Sequence, residues 1–326
     1  ISDRIVFSND FREGYSNLIK NTFNLKDNKK ILNGRISSYW DEYSKNLIQN
    51  RIQNSKIDYN FIKKLRQFFK NYLTNIINLK TSYYNLNHLE YTFFVIAHLY
   101  KKILLRRLWK KNALKNLNTT KKIIYFPLHF QPERSTDPEA SKYSDQFSSI
   151  KILSKFIPKD WEIWVKEHPR QIPLEYPNIR RYHYRTKHDY LKLIKLKNVK
   201  LLNLDFPSEL GINKCTVVAS CTGSILWEGL LKNKIAIRFG STWHDECKSC
   251  FYIEDVLNDK KFFDTKFDKK QTFIEKDVDE FINRLSDYSI ISSNSSLFVK
   301  KSKIEENILV NNFTSFIKSY IKTNKN

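Results

Sequence analysis

Tyr125-Phe126-Pro127-Leu128-His129-Phe130-Gln131-Pro132-Glu133-Arg134-Ser135-Thr136 and Trp164-Val165-Lys166-Glu167-His168-Pro169 are built alike. Each is an apolar run that stops abruptly at polar and ionisable residues. A strand buried on both faces of a parallel sheet reads as a near-continuous apolar run, and ligands of such sheets bind in the crevice beyond the strands' carboxyl ends. The two stretches therefore predict an α/β fold and place its chemistry just after each run.

The surrounding sequence agrees. Residues 122–127, 161–165, 199–202, 215–220 and 234–239 read as strands, and 144–156, 189–196 and 224–231 as helices between them. Strands alternating with helices imply βαβ units, so residues 119–262 are read as a Rossmann-like nucleotide-binding domain. Residues 1–118 read as a mainly helical, acceptor-side region that opens with a short strand at 1–7. Apolar residues recur there at helical spacing, as in Phe61, Leu65, Phe68, Phe69, Tyr72 and Leu73. Residues 263–326 read as C-terminal helices (278–285 and 304–321) packing back on the N-terminal region, with a loop at 292–296. The stretch 86–117 combines Ile103, Leu104, Leu105, Leu108 and Trp109 with Lys101, Lys102, Arg106, Arg107, Lys110, Lys111 and Lys115. It fits an ordinary amphipathic helix with a solvated lysine face, or an interfacial helix on anionic lipid.

The chain has 326 residues, 41% hydrophobic and 14% aromatic, which supports a sizeable core and excludes global disorder. Its net charge of +23 attracts polyanions, although the frequent Lys, Ile and Asn and the scarcity of Gly and Met point to a compositional bias that inflates it. No zinc-finger, homeodomain or RNA-binding signature accompanies the charge, which ranks nucleic acid below phosphate-bearing small molecules and a membrane surface. No segment reaches the roughly 18 apolar residues of a membrane helix, and no signal peptide opens the sequence. The chain starts at Ile1 without a methionine, so the expectation is either a longer protein whose N-terminal part is missing here or a reduced acceptor-side domain. Cys215, Cys221, Cys247 and Cys250 are too few for a disulfide framework. A cytoplasmic location follows, with the inner face of the cytoplasmic membrane as its peripheral variant.

Several clusters carry the candidate chemistry. Ser220-Cys221-Thr222-Gly223-Ser224 follows a strand and precedes a helix. Simple N-capping needs one hydroxyl, whereas three in five residues suit a phosphate or nucleotide, held by hydroxyls and unpaired backbone N–H groups. Glu228 shares the helix face of Ser224. Pro169 biases His168 to an extended backbone that aims its imidazole off the sheet edge, where it can meet a phosphate or move a proton. Lys166 and Arg170 flank it. Glu133 is the first carboxylate after its strand; in a desolvated cleft it would suit acid–base work, against the plainer reading of a surface ion pair with Arg134. Asp137 and Asp145 are secondary candidates. His244, Cys247 and Cys250 have metal-like spacing, but a fourth ligand would have to come from Cys215 or Cys221 on other elements. No metal site is expected, and His244 and Asp245 read as loop residues near the ligand.

The run 126–133, then Val165-Lys166-Glu167-His168-Pro169, then the hydroxyl cluster with Glu228 resembles bacterial capsule and surface-polysaccharide biosynthesis proteins, including the Kdo transferases. The His-Pro pair and hydroxyl cluster also resemble bacterial sialyltransferases. The resemblance covers residues 122–262. It implies a GT-B-like fold, a CMP-activated ulosonic acid as donor (Kdo, sialic or a related nonulosonic acid), and a surface glycan or glycolipid as acceptor. It implies that His168 contacts the CMP phosphate, that Ser220, Thr222, Gly223 and Ser224 hold phosphate and cytidine, that Glu228 binds the ribose, and that Gln131 and Glu133 sit beside the transferred sugar. Lys166 and Arg170 would add positive charge. One position departs from the family pattern: Ser135 stands where capsule Kdo transferases tend to carry Asp. A retaining mechanism would lack that nucleophile, and Glu133 could instead deprotonate the acceptor in an inverting displacement, so the stereochemistry stays open. No Asp-x-Asp motif is present, which fits metal-independent transfer with no cofactor beyond the donor. The alternatives are a CDP-polyol phosphotransferase and a non-enzymatic basic module for membranes or polyanions.

Overall fold

A computed structural model describes residues 4–6, 66, 69–70, 73–74, 88–133, 136–172, 185–267, 272–287, 289–291 and 305–323. Arg134, Ser135, most of the helical pattern at 61–73 and the loop at 292–296 lie outside the described residues. In chain order the elements are β1 (Arg4–Val6), α1 (His88–Asn112), β2 (Lys122–Pro127), α2 (Gln146–Phe156), β3 (Trp161–Lys166), α3 (Lys187–Ile194), β4 (Val199–Leu201), α4 (Ser208–Lys214), β5 (Val217–Ser220), α5 (Ile225–Leu230), β6 (Ile235–Arg238), β7 (Cys250–Tyr252), α6 (Ile253–Asn258), α7 (Phe262–Thr265), α8 (Thr272–Asp287), β8 (Ser289–Ile291) and α9 (Glu306–Thr323).

Six strands form one parallel sheet in the order β4-β3-β2-β5-β6-β7. Counted within the sheet this is 3-2-1-4-5-6, the doubly wound Rossmann order. The apolar runs that predicted it are buried from end to end: Ile124, Tyr125 and Phe126 in β2, and Ile163, Trp164 and Val165 in β3, are fully inaccessible. Helices cover both faces because parallel strands need crossovers. Two glycines let them close on the sheet. A Cβ on Gly211 of α4 would sit 2.7 Å from the Tyr125 ring, and one on Gly229 of α5 would sit 2.7 Å from Val218.

The core reaches beyond the sheet's own crossovers. α1 buries Leu105 and Trp109, with the Trp109 indole donating to the Leu202 carbonyl at 2.8 Å and meeting the Tyr190 ring edge-on. Just past α1, Ala113 bridges Leu201, so the chain leads from helix to sheet edge. α8 adds Ile274, Val278, Phe281 and Leu285 to the same core. β1 and β8 pair antiparallel in a separate small sheet. β7 and the helices α4, α6 and α7 were not anticipated: β7 is only three residues long, too short to show a strand pattern of its own.

Candidate active site at the reversal of strand order

The chain winds from β2 through β3 to β4, then returns to the other side of β2 as β5 and continues through β6 to β7. The connections leaving β2 and β5 therefore diverge, and the crevice between them is where doubly wound sheets bind ligands. The segment after β2 delivers His129, and the segment after β5 delivers the hydroxyl turn. They meet: His129 Nε2 lies 2.9 Å from Ser220 Oγ and accepts the Thr222 backbone N–H at 3.3 Å.

That backbone contact fixes the imidazole's state. An amide N–H can only donate, so Nε2 carries the lone pair and a neutral ring holds its proton on Nδ1. Burial, then the nearby His168 and Arg185, push His129 down to about 4. His129 is thus neutral around pH 7, and among the described residues Nδ1 has no hydrogen-bond partner. Gly223 is required here, since a Cβ would lie 2.8 Å from Ser220 Oγ and 3.2 Å from the imidazole.

The end of β3 supplies His168, half-buried, with its ring 5.2 Å from Phe130. The Arg170 backbone N–H donates to His168 Nδ1 at 3.2 Å, so neutral His168 carries its proton on Nε2. Beneath both imidazoles runs a buried network. Arg185, in a left-handed backbone conformation (φ 67°), pairs through Nε with Glu167 Oε2 at 2.8 Å and donates through Nη2 to the His129 carbonyl at 2.7 Å. Its Nη1 donates to Gln131 Oε1. Glu167 also accepts from the Tyr190 hydroxyl at 2.6 Å and from the His168 backbone N–H at 2.7 Å. Burial opposes the Arg185 charge, but Glu167 more than offsets it and its pKa rises; burial and Glu167 push the Tyr190 phenol well above its usual range.

The residues anticipated from sequence are placed as follows. Ser220 is buried, Thr222 and Gly223 half-buried, and all three line the turn against His129. Ser224 is exposed; it makes no side-chain cap on α5 and instead donates to Glu228 Oε1 at 3.3 Å. α5 is only six residues long, and the Thr222 N–H of the preceding turn is directed at His129, so the anion site expected of a helix start is reduced. Gln131 turns its amide into the buried network, and its backbone N–H donates to Gln171 Oε1 at 2.9 Å. Lys166 is buried, with Nζ 3.0 Å from Oγ of Ser208 at the start of α4. Arg170 is exposed. Glu133 is exposed too, so the desolvation expected to tune its carboxyl is absent. Asp145 caps α2 through the Phe147 N–H. His244 lies in the loop between β6 and β7, as expected, but is buried there: it is 1% exposed, with Trp243 and Trp227 ring centroids at 5.0 and 5.7 Å. Among the described residues no group of three His, Cys, Asp or Glu is placed to hold a metal. All four cysteines are buried thiols, and burial pushes Cys215, Cys221 and Cys247 up to about 12.

Sequence reasoning missed His129, Glu167, Arg185 and Gln171. For His129 the signal was present: it sits in the quoted stretch two residues past β2, where the strand-order rule puts ligand contacts. Arg185 offers none, because its partners are 18, 54 and 56 residues away in sequence.

No protein-family profile and no curated protein matches the sequence. Among solved structures the chain is similar to a beta Kdo 2,7 transferase, KpsC of Thermosulfurimonas dismutans, at 15% identity and a TM-score of 0.34, covering 56% of this chain and 50% of that one. A beta Kdo 2,4 transferase structure of the same KpsC gives 11% identity, a TM-score of 0.31, and 48% and 49% coverage. A Listeria monocytogenes protein provisionally assigned as a UDP-N-acetylglucosamine 2-epimerase gives 11% identity, a TM-score of 0.26, and 67% and 52% coverage. The chain spans about half the length of each. Likeness at this level carries no argument about the reaction; the fold rests on the strand order above.

Proposed function

We propose that the chain is a glycosyltransferase that moves an ulosonic acid (Kdo, sialic or a related nonulosonic acid) from a CMP-sugar to a surface polysaccharide or glycolipid. The observation that supports this most is the meeting of His129 with Ser220 and Thr222 across the strand-order reversal, with His168 beside it. A neutral His129, with a second imidazole beside it and both accepting nitrogens set by backbone contacts, suits one phosphate with spread charge better than a di- or triphosphate, which calls for a cation clamp or metal. In the proposed complex His129 Nδ1–H and His168 donate to the CMP phosphate and stabilise its charge as it leaves. Thr222, Gly223 and Ser224 line the cytidine side and Glu228 the ribose. Glu133, exposed beyond β2, takes the proton of the acceptor hydroxyl. Gln131 supports the β2 end through Arg185.

A melting panel with CMP, CDP, UMP, UDP and GDP tests this. Ligand at 100 times its dissociation constant stabilises by about 2.7 kcal/mol. CMP should raise the melting temperature most, and His129→Ala and His168→Ala should each remove the rise. No response to any cytidine nucleotide would refute the reading, and a response to CDP over CMP would favour a CDP-polyol phosphotransferase.

A further inference from the structure

α1 has two opposite faces, and among the described residues one is buried and the other exposed. Leu105 and Trp109 join the core of the sheet, and Val95 and His98 are buried on the same face of the helix. On the other side Leu89, Phe93, Ile96, Tyr100 and Leu104 are exposed by 72, 72, 57, 65 and 39%. At about 100° per residue these five fall within one stripe some 80° wide, opposite the buried face and roughly 22 Å long. Arg107 and Lys111, both exposed, continue the same line at the helix's C-terminal end. The interfacial helix anticipated from sequence rested on Ile103, Leu104, Leu105, Leu108 and Trp109; the core has taken Leu105 and Trp109, and Leu104 alone of the five belongs to the exposed stripe. The exposed apolar surface lies half a turn away.

The stretch of sequence that carries this stripe is one-sided in charge. Residues 59–132 hold a single carboxylate, Glu90, against fourteen Lys and Arg, a surplus of thirteen in a chain whose total is +23. The described helical residues before α1 show the same mixture: Phe69 and Leu73 are exposed beside exposed Arg66 and Lys70. A bare polyanion would be met by the cations alone and gives no reason for Leu, Phe and Ile in water. An anionic lipid surface uses both features, taking the apolar stripe below its headgroups and the cations among them. No helix of the described residues is long and apolar enough to cross a membrane. We propose that α1 docks the chain on an anionic membrane surface through the stripe Leu89, Phe93, Ile96, Tyr100 and Leu104, with Arg107 and Lys111 at the headgroups.

The test is co-sedimentation of the whole chain with vesicles of phosphatidylcholine and phosphatidylglycerol, against pure phosphatidylcholine. The wild type should sediment with anionic vesicles, lose at least about tenfold in affinity between low and physiological salt, and ignore neutral ones. F93E/I96E and, separately, R107E/K111E should each weaken binding by about tenfold or more without lowering the melting temperature, since both pairs are exposed. K155E/K159E, a charge-matched change on exposed residues elsewhere, should keep it. Failure of the wild type to bind, or full binding by F93E/I96E, overturns the proposal. So does a wild-type dimer that F93E/I96E converts to monomer, which would assign the stripe to a second copy. Because no nucleotide is involved, failure here leaves the crevice reading standing, and the reverse also holds.

Discussion

The segments after β2 and β6 each carry a histidine, half-buried at β2 and buried at β6, and the two do different things. Burial depresses both, His129 to about 4 with help from His168 and Arg185, and His244 to about 3 with help from Arg238. A lowered pKa therefore does not separate them. Their partners do. His129 is met by a serine hydroxyl, a backbone N–H and, through its own carbonyl, an arginine. His244 packs among tryptophans, and among the described residues neither of its ring nitrogens has a hydrogen-bond partner. Polar groups from three strand ends converge at β2, and that convergence, rather than burial, marks a site.

The largest test of the contrast is Arg185→Met. At the β2 end one guanidinium ties Glu167, Gln131 and the His129 carbonyl together. Removing it leaves Glu167, with a fully inaccessible side chain, without its counter-charge. The loss should be about 3–5 kcal/mol in urea denaturation, and R185M/E167Q should recover part of it because the stranded charge is then gone. A loss below about 1 kcal/mol would mean the network is ornamental and the β2 end no better organised than the β6 end.

Acid gives a smaller effect with a defined sign. His98, His129 and His244 all have folded pKa values below the unfolded 6.5, so between those values the unfolded chain binds more protons and stability falls as pH falls. Stability should be level above about pH 7 and decline from 6.5 downward, with His98 and His129 finished near 4 and His244 continuing toward 3. For His244, almost wholly buried, the loss reaches about 2 kcal/mol by pH 5, since 1.5 pH units below 6.5 is worth about 1.4 kcal/mol each. Urea midpoints at pH 7.5, 6 and 5 measure the slope. A flat profile would show that His244 is charged or hydrated in solution.

How much of this could be read from sequence depends on the range of the interactions. β2 and β3 were legible because a strand buried on both faces must be apolar throughout, and that leaves a local trace. The hydroxyl turn was legible because its residues are contiguous. β7 was not, because pairing with β6 rather than its own three residues makes it a strand. The imidazole against the turn was assigned to His168, since Pro169 and its basic flanks drew attention there, while His129 lay between apolar neighbours. The choice between them turns on β5 lying next to β2, a fact of strand order that no window along the chain contains. Arg185 is the extreme case: its role consists wholly of partners distant in sequence. His244 was read as a loop residue near the ligand, and its burial between Trp227 and Trp243 was hidden because Trp227 and Phe281, which pack against Trp243, lie far away in sequence.

The smallest effect is the most discriminating, because one substitution should act with opposite sign at the two ends. His244→Phe keeps a ring of similar size against the Trp243 edge and removes two buried nitrogens that have no partner among the described residues. Replacing an unsatisfied buried polar group by an apolar one of like shape is neutral to favourable, so stability at pH 8 should rise by about 1 kcal/mol, some 2–4 °C in melting temperature. His129→Phe takes away the acceptor of the Thr222 N–H and the partner of the Ser220 hydroxyl, and should cost about 1–2 kcal/mol. Measured side by side by calorimetry at pH 8, where both histidines are neutral, the pair isolates hydrogen bonding from titration. If both substitutions destabilise alike, His244 has partners of its own and the distinction between a working strand end and a filled one fails; if both stabilise, the contact across the β2–β5 crevice is not made, and the proposed phosphate site goes with it.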